Sequence, residues 1–155
     1  MIVKLTERVQ LDAPPKDVWQ LLRDTPRLTG LMPGVESVIP LNNEGSEAYV
    51  AKVTDKIGPF RVTMNIEVRI GEIEEASLMK MAIGGADPEK QNRLTGSMHV
   101  ALSAVPSGTQ MNFEASVEVL GKLATLGAVP IRRRTTQLFA EFARNIQGQF
   151  TKERP

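Results

Sequence analysis

Cysteine is absent from the 155 residues. That excludes disulfides, thiolate metal sites and cysteine nucleophiles together. Histidine occurs once, as His99, so no His-rich metal spacing and no Ser-His-Asp set can be assembled. Aromatics are scarce, with one Trp, one Tyr and five Phe, and no basic-aromatic surface points to RNA or DNA. No Gly-rich phosphate loop is present. The N-terminal run Met1–Arg8 has no apolar signal core, and no stretch approaches the ~18 apolar residues of a membrane span. The expectation is a cytoplasmic protein of one domain, residues 1–155, with neither cofactor nor metal.

What is present begins with charge. The net charge is +1, yet residues 1–119 hold 12 Lys/Arg against 16 Asp/Glu, while residues 120–155 hold 7 against 2. The neutral average hides a basic C-terminal element centred on Arg132, Arg133 and Arg134. Such a patch is either a solvated helix face or a contact for an acidic protein or the anionic inner face of a membrane.

Period-two alternation is the strongest pattern. From Phe60 to Ile70 every second residue is apolar (Phe60, Val62, Met64, Ile66, Val68, Ile70), and the intervening ones are Arg, Thr, Asn, Glu and Arg. Such a segment has one wet and one covered face, as in an antiparallel sheet. Met111–Val119 and Leu94–Leu102 repeat the pattern, as do shorter runs at Val3–Leu11, Tyr49–Ile57 and Met79–Ile83, with Val35–Leu41 the weakest. Turns are read at Asn42–Gly45, Gly58-Pro59 and Pro106–Gly108, and a longer loop at Gly84–Pro88.

Pro14-Pro15 opens a short helix through Val18, Trp19, Leu21 and Leu22, closed by Asp24-Thr25-Pro26. A C-terminal helix follows from Leu138, Phe142, Ile146 and Phe150, one face at spacing four, extended backwards through Thr135 and Ile131 to Gly127 and Leu123. A helix starting at Pro130 would crowd three arginines at its positive end. The reading is therefore one helix from about Gly121 to Phe150, kinked at Pro130. Strand, two short helices, six strands and a long helix is the order β-α-α-β6-α of the α+β helix-grip fold: a curved antiparallel sheet of about seven strands around the C-terminal helix.

Five of the seven methionines, Met64, Met79, Met81, Met98 and Met111, fall on the apolar parity. Flexible, polarizable Met suits an irregular apolar guest such as a quinone or lipid chain, and serves equally as core filler. The expected cavity is lined by these five with Phe113, Leu138 and Phe142. Its entrance is expected at Met32, Pro33, Gly34 and Glu36 and the Gly84–Pro88 loop. Glu7, Asp55 and Tyr49 are the polar candidates for any acid-base work.

The segment Val9–Asp24 resembles the opening of START-like (Bet v 1-like) domains. Leu31-Met32-Pro33-Gly34-Val35-Glu36, Ile57-Gly58-Pro59-Phe60 and Gly121–Gly127 resemble segments of the CoxG family of carbon monoxide dehydrogenase subunits. The resemblance implies the helix-grip fold and an association with molybdenum hydroxylase-type dehydrogenases, in membrane recruitment, maturation or quinone delivery. It implies no catalytic residues. Some relatives end in an apolar anchor, whereas this chain stops at Pro155, so only peripheral membrane contact is expected. Three readings follow: a non-enzymatic carrier of an apolar small molecule, a protein-protein adaptor, and a cyclase-type enzyme.

Overall fold

The structure, a computed structural model, describes residues 1–43 and 45–150. The turn expected at Asn42–Gly45 contains Glu44, which lies outside the described residues. Along the described residues the elements are β1 (Ile2–Leu11), α1 (Pro15–Arg23), α2 (Thr25–Thr29), β2 (Val35–Asn43), β3 (Ser46–Ile57), β4 (Phe60–Glu74), β5 (Leu78–Ala86), β6 (Asn92–Val105), β7 (Gly108–Gly121) and α3 (Ala128–Gln149). A short 3-10 turn, Lys122–Leu126, precedes α3. The strands form one antiparallel sheet in the order β1-β7-β6-β5-β4-β3-β2. This is the seven-stranded, curved helix-grip architecture.

Sequence neighbours pair as hairpins from β2 to β7, and β1 closes against β7. β1 and β2 are thus the two edges, and α1 and α2 carry the chain from one edge to the other. Pro40 sits in edge strand β2, the part of a sheet where proline is tolerated. Register slips at Ile70/Ile73 in β4 and Val35/Ser37 in β2 are bulges, which bend and twist the strands that carry them.

α1 forms where the sequence places it, with Pro15 in its first turn and Val18, Trp19, Leu21 and Leu22 all buried. Asp24-Thr25-Pro26 does more than end it. Asp24 Oδ1 accepts the Arg27 N–H at 3.3 Å and caps α2, whose first turn takes Pro26.

The single kinked helix expected from Gly121 is not formed. Gly127, at φ +84°, separates the 3-10 turn from α3. Only glycine adopts that conformation without strain. Pro130 then lies in the first turn of α3, where its missing donor is harmless. The arginine crowding that argued against this start is relieved for Arg134 by an acidic partner and for Arg132 and Arg133 by solvent. Gly84, Gly85 and Ala86 are also not a loop, because they continue β5 and pair with β4 and β6.

The buried side chains fall into two clusters rather than one. The larger packs α1 and α2 (Val18, Leu21, Leu22, Leu28) and the end of α3 (Phe142, Ala143, Ile146) on Val9, Leu11, Met79, Val100, Leu102, Met111 and Phe113. The smaller joins Val3, Val62, Met64, Val119, Leu123 and Ile131 around the start of α3. Asn92 anchors this second end. It is 7% exposed, its Nδ2 donates to Asp87 Oδ2 at 2.9 Å, and its Oδ1 accepts the Leu123 N–H at 2.7 Å. Asn92→Ala leaves the Leu123 N–H buried without a partner, an expected loss of about 2 kcal/mol. Urea unfolding measures it; a change below about 0.5 kcal/mol would show that water replaces the bond.

Candidate functional site

A cavity of about 280 Å³ lies between the two clusters, under α3 and against the concave face of the sheet. Leu28, Met81, Val100, Phe113 and Phe142 of the larger cluster form one end of its wall, and Val3, Val62, Met64, Val119, Leu123 and Ile131 of the smaller form the other. The middle of the wall is Ile66, Val68, Ile83, Leu94, Met98 and Val117 from four adjacent strands. These six apolar side chains stay half-buried although they point inward. A filled core would bury them, so their exposure is to the cavity.

The helix supplies the opposite wall. Ile131, Thr135, Leu138 and Phe142 recur at spacings of four, three and four and all reach it, with Phe139 beside them. Phe142 stacks at a tilt on Phe113, centroids 5.5 Å apart, and meets Phe139 edge to face at 6.2 Å.

Six of the eight side chains expected to line the cavity do so: Met64, Met81, Met98, Phe113, Leu138 and Phe142. Met79 and Met111 do not. Both share the inward parity but are fully buried in the larger cluster, at the end of the sheet that α1 and α2 cover. Parity fixes the face of a strand, while position along it decides between core and cavity.

At the expected entrance, Met32 and Pro33 reach the wall, and so does Val35. Gly34 and Glu36 do not. Gly34, at φ +87°, turns its backbone onto β3: its carbonyl accepts the Thr54 N–H at 2.9 Å, and a Cβ would lie 2.5 Å from Thr54 O. Glu36 points away and pairs with Lys52 at 3.4 Å, both side chains half in solvent. Of the residues in the expected Gly84–Pro88 loop, none belongs to the wall.

α3 packs most closely on β1. Toward the other edge it is tied at two places. Near its start, Arg134 grips Asp55 through Nη2 at 2.7 Å and Nε at 3.0 Å. Near its end, Asn145 Nδ2 donates to Leu31 O at 2.8 Å and Arg27 Nη2 to Gln149 Oε1 at 2.7 Å. Between these ties stand the half-buried Leu138, Phe139, Met32 and Pro33.

The wall holds few polar groups. Asp55 is one, and its pairing with Arg134 is hidden in the sequence, where the two are far apart. The carboxylate beside it raises the Arg134 pKa, against the opposing effect of burial. Arg134 is therefore a fixed cation committed within the fold, while Arg132 and Arg133 are exposed. The Asp55 and Arg134 side chains are 16% and 33% exposed, so solvent weakens the pair. A double-mutant cycle with Asp55→Asn and Arg134→Gln should return a coupling of about 1 kcal/mol. A coupling of zero by denaturant unfolding would remove the pair as a tie. Arg93 also borders the wall, as an exposed residue at the start of β6, beside Leu94 and the smaller cluster.

Thr135 Oγ1 turns back to Ile131 O at 2.8 Å. Thr25, missed by sequence reasoning, is 2% exposed, belongs to the wall, and its hydroxyl closes no hydrogen bond of normal geometry. Tyr49 stands beside the cavity rather than on it: its OH donates to Glu47 Oε1 at 3.1 Å, and Glu47 Oε2 accepts from Arg23 Nη2 at 2.9 Å. Burial and the Glu47 carboxylate raise the Tyr49 pKa, so the phenol stays neutral. Glu7 lies on the inward face of β1 but outside the wall. His99 faces outward, with Nε2 3.0 Å from Glu114 Oε2. Among the described residues, no acid-base pair converges on the cavity, and no cluster of three or more His, Asp or Glu could hold a metal. Nor is any described helix long and apolar enough to cross a membrane.

Solved structures share this architecture. A conserved protein from Geobacillus kaustophilus superposes with a TM-score of 0.81 at 20% identity, over 97% of this chain and 95% of that one. Ara h 8.0201 matches with a TM-score of 0.67 at 18% identity, over 97% and 98%. The ZhuI aromatase/cyclase from Streptomyces sp. R1128 matches at 0.66 and 13%, over 96% and 93%. These likenesses concern the fold. No curated protein matches the sequence. The family model of CoxG, a carbon monoxide dehydrogenase subunit, matches residues 8–151, nearly the whole chain. The protein belongs to the CoxG family of carbon monoxide dehydrogenase subunits.

Proposed function

We propose that this protein is a carrier that holds one apolar molecule, a quinone or lipid-like chain, between its sheet and α3. The observation that carries the reading is the split core: two packed ends with an apolar cavity of about 280 Å³ between them. An unfilled apolar space forfeits contacts on every side, so a ligand that fills it gains them. The guest enters between α3 and the Leu31–Val35 segment, where the ties to Asp55 and to Leu31 leave an apolar stretch.

Family membership supports a carrier that serves a molybdenum hydroxylase-type dehydrogenase, and Arg132 and Arg133 offer a basic contact to that partner or to an anionic membrane surface. Native mass spectrometry of protein from a host extract, followed by solvent extraction, tests the cargo. A stoichiometric quinone or lipid is the expected result. A protein that carries no guest and also ignores added quinones would shift the function to an adaptor held by its basic face. The likeness to aromatase/cyclases supports a second reading, chemistry on the bound guest. Against it, Asp55 is the one carboxylate on the wall among the described residues, and it is already committed to Arg134.

A further inference from the structure

Two buried donors near the α1–α2 corner have no hydrogen-bond partner: Thr25 Oγ1 and Arg23 Nη1. They belong to one constellation. Arg23 binds Glu47, Glu47 accepts from Tyr49, and both Arg23 and Thr25 act on the Tyr49 phenol, lowering its pKa against the larger effects of burial and Glu47. Thr25 does so without closing a hydrogen bond of normal geometry, so its hydroxyl stays unsatisfied. A buried, unpaired hydroxyl is costly to a fold and calls for a reason. Asp24 already caps α2, so the hydroxyl is not needed there. Thr25 is also in the cavity wall, at the end bounded by Leu28 and Phe142.

We propose that Thr25 donates a hydrogen bond to a neutral carbonyl-type oxygen at one end of the apolar guest, with Arg23 and Tyr49 forming the polar floor behind it. The inference rests on the carrier reading and adds the chemistry of the cargo's head. Neutrality follows from the charges present. The Arg23 guanidinium is matched by the Glu47 carboxylate 2.9 Å away, and the phenol between them and Thr25 is uncharged. Arg93 stands at the far end of the wall, with the smaller cluster. A carboxylate head beside Thr25 would put a second negative charge against an Arg23 already matched by Glu47, whereas a carbonyl needs only a donor.

The test uses three probes of equal chain length: a long-chain methyl ketone, the matching hydrocarbon and the matching fatty acid. Each is titrated into wild-type protein, Thr25→Val and Thr25→Ser. Wild type should bind the ketone roughly 3- to 10-fold tighter than the hydrocarbon, the worth of one neutral hydrogen bond. Thr25→Val should erase that preference without weakening hydrocarbon binding, and Thr25→Ser should keep it. Because the hydroxyl closes no hydrogen bond of normal geometry within the fold, the thermal midpoint of Thr25→Val should stay within about a degree or two of wild type. A ketone preference that survives Thr25→Val, or an acid that binds more tightly than the ketone, overturns the assignment. Equal binding of ketone and hydrocarbon to wild type overturns it while leaving the carrier reading intact. Binding of none of the three overturns both.

Discussion

Met81→Lys combined with Met98→Lys will leave the protein folded and reduce its affinity for an apolar guest at least ~100-fold, equivalent to about 2.7 kcal/mol. The two methionines face each other across β5 and β6 and both belong to the cavity wall. In the ligand-free protein their replacements project into space that water can occupy, so the ammonium groups keep hydration and the fold survives. A guest that displaces that water strips both charges, and the effective penalty is several kcal/mol per buried ion. Their mutual repulsion adds to it. The same physics gives a pH signature: desolvation lowers a lysine pKa, so part of the lost affinity should return as pH rises. Titration with a fluorescent apolar probe, alongside circular dichroism, reads both effects. Unchanged affinity in a folded double variant would mean that the guest does not sit against β5 and β6.

How far the sequence carries this picture is set by what period and parity encode. Alternation identifies strands and their inward faces, and the rise from period two to spacing four marks α3. Fold and most of the wall follow, since Met64, Met98, Phe113 and Leu138 are inward by pattern alone. What pattern does not encode is distance along a strand. Met79 and Met81 are two residues apart with the same parity, yet the first is sealed within the larger cluster while the second borders the cavity. Nor does it encode pairs between elements: Asp55 and Arg134 meet only because α3 crosses β3 at that point. The start of α3 escapes the pattern for a different reason. Charge crowding at a helix N-terminus is visible in sequence, but the Asp55 that relieves it is not, and Gly127 continues the apolar spacing while its backbone breaks the helix. Thr25 is legible in principle, because an Asp followed two residues later by Pro announces a capped helix start rather than an end.

Phe142→Ala is the second large effect, and it separates packing from cavity. The ring is 4% exposed, belongs to the larger core cluster, and also borders the cavity against Phe113 and Phe139. Truncating such a side chain typically costs about 3–5 kcal/mol, part of it lost transfer energy and part the void left behind. The aromatic contacts add about 0.5–1.5 kcal/mol for each pair beyond their buried area. Here the void joins a space that already exists, so the neighbouring helix has less reason to collapse and the loss should lie in the upper part of that range. A guest can reclaim it. Ligand present at about a hundred times its dissociation constant stabilises a folded protein by about 2.7 kcal/mol, and a bulkier guest that fills the enlarged space should bind the variant better than it binds wild type. Thermal melts of both proteins, with and without a bulky and a slender apolar probe, measure this. The expected result is a large deficit without ligand that the bulky probe narrows and the slender one does not. A deficit that both probes leave untouched would confine Phe142 to the core and move the guest toward the Leu123 and Ile131 end of the cavity.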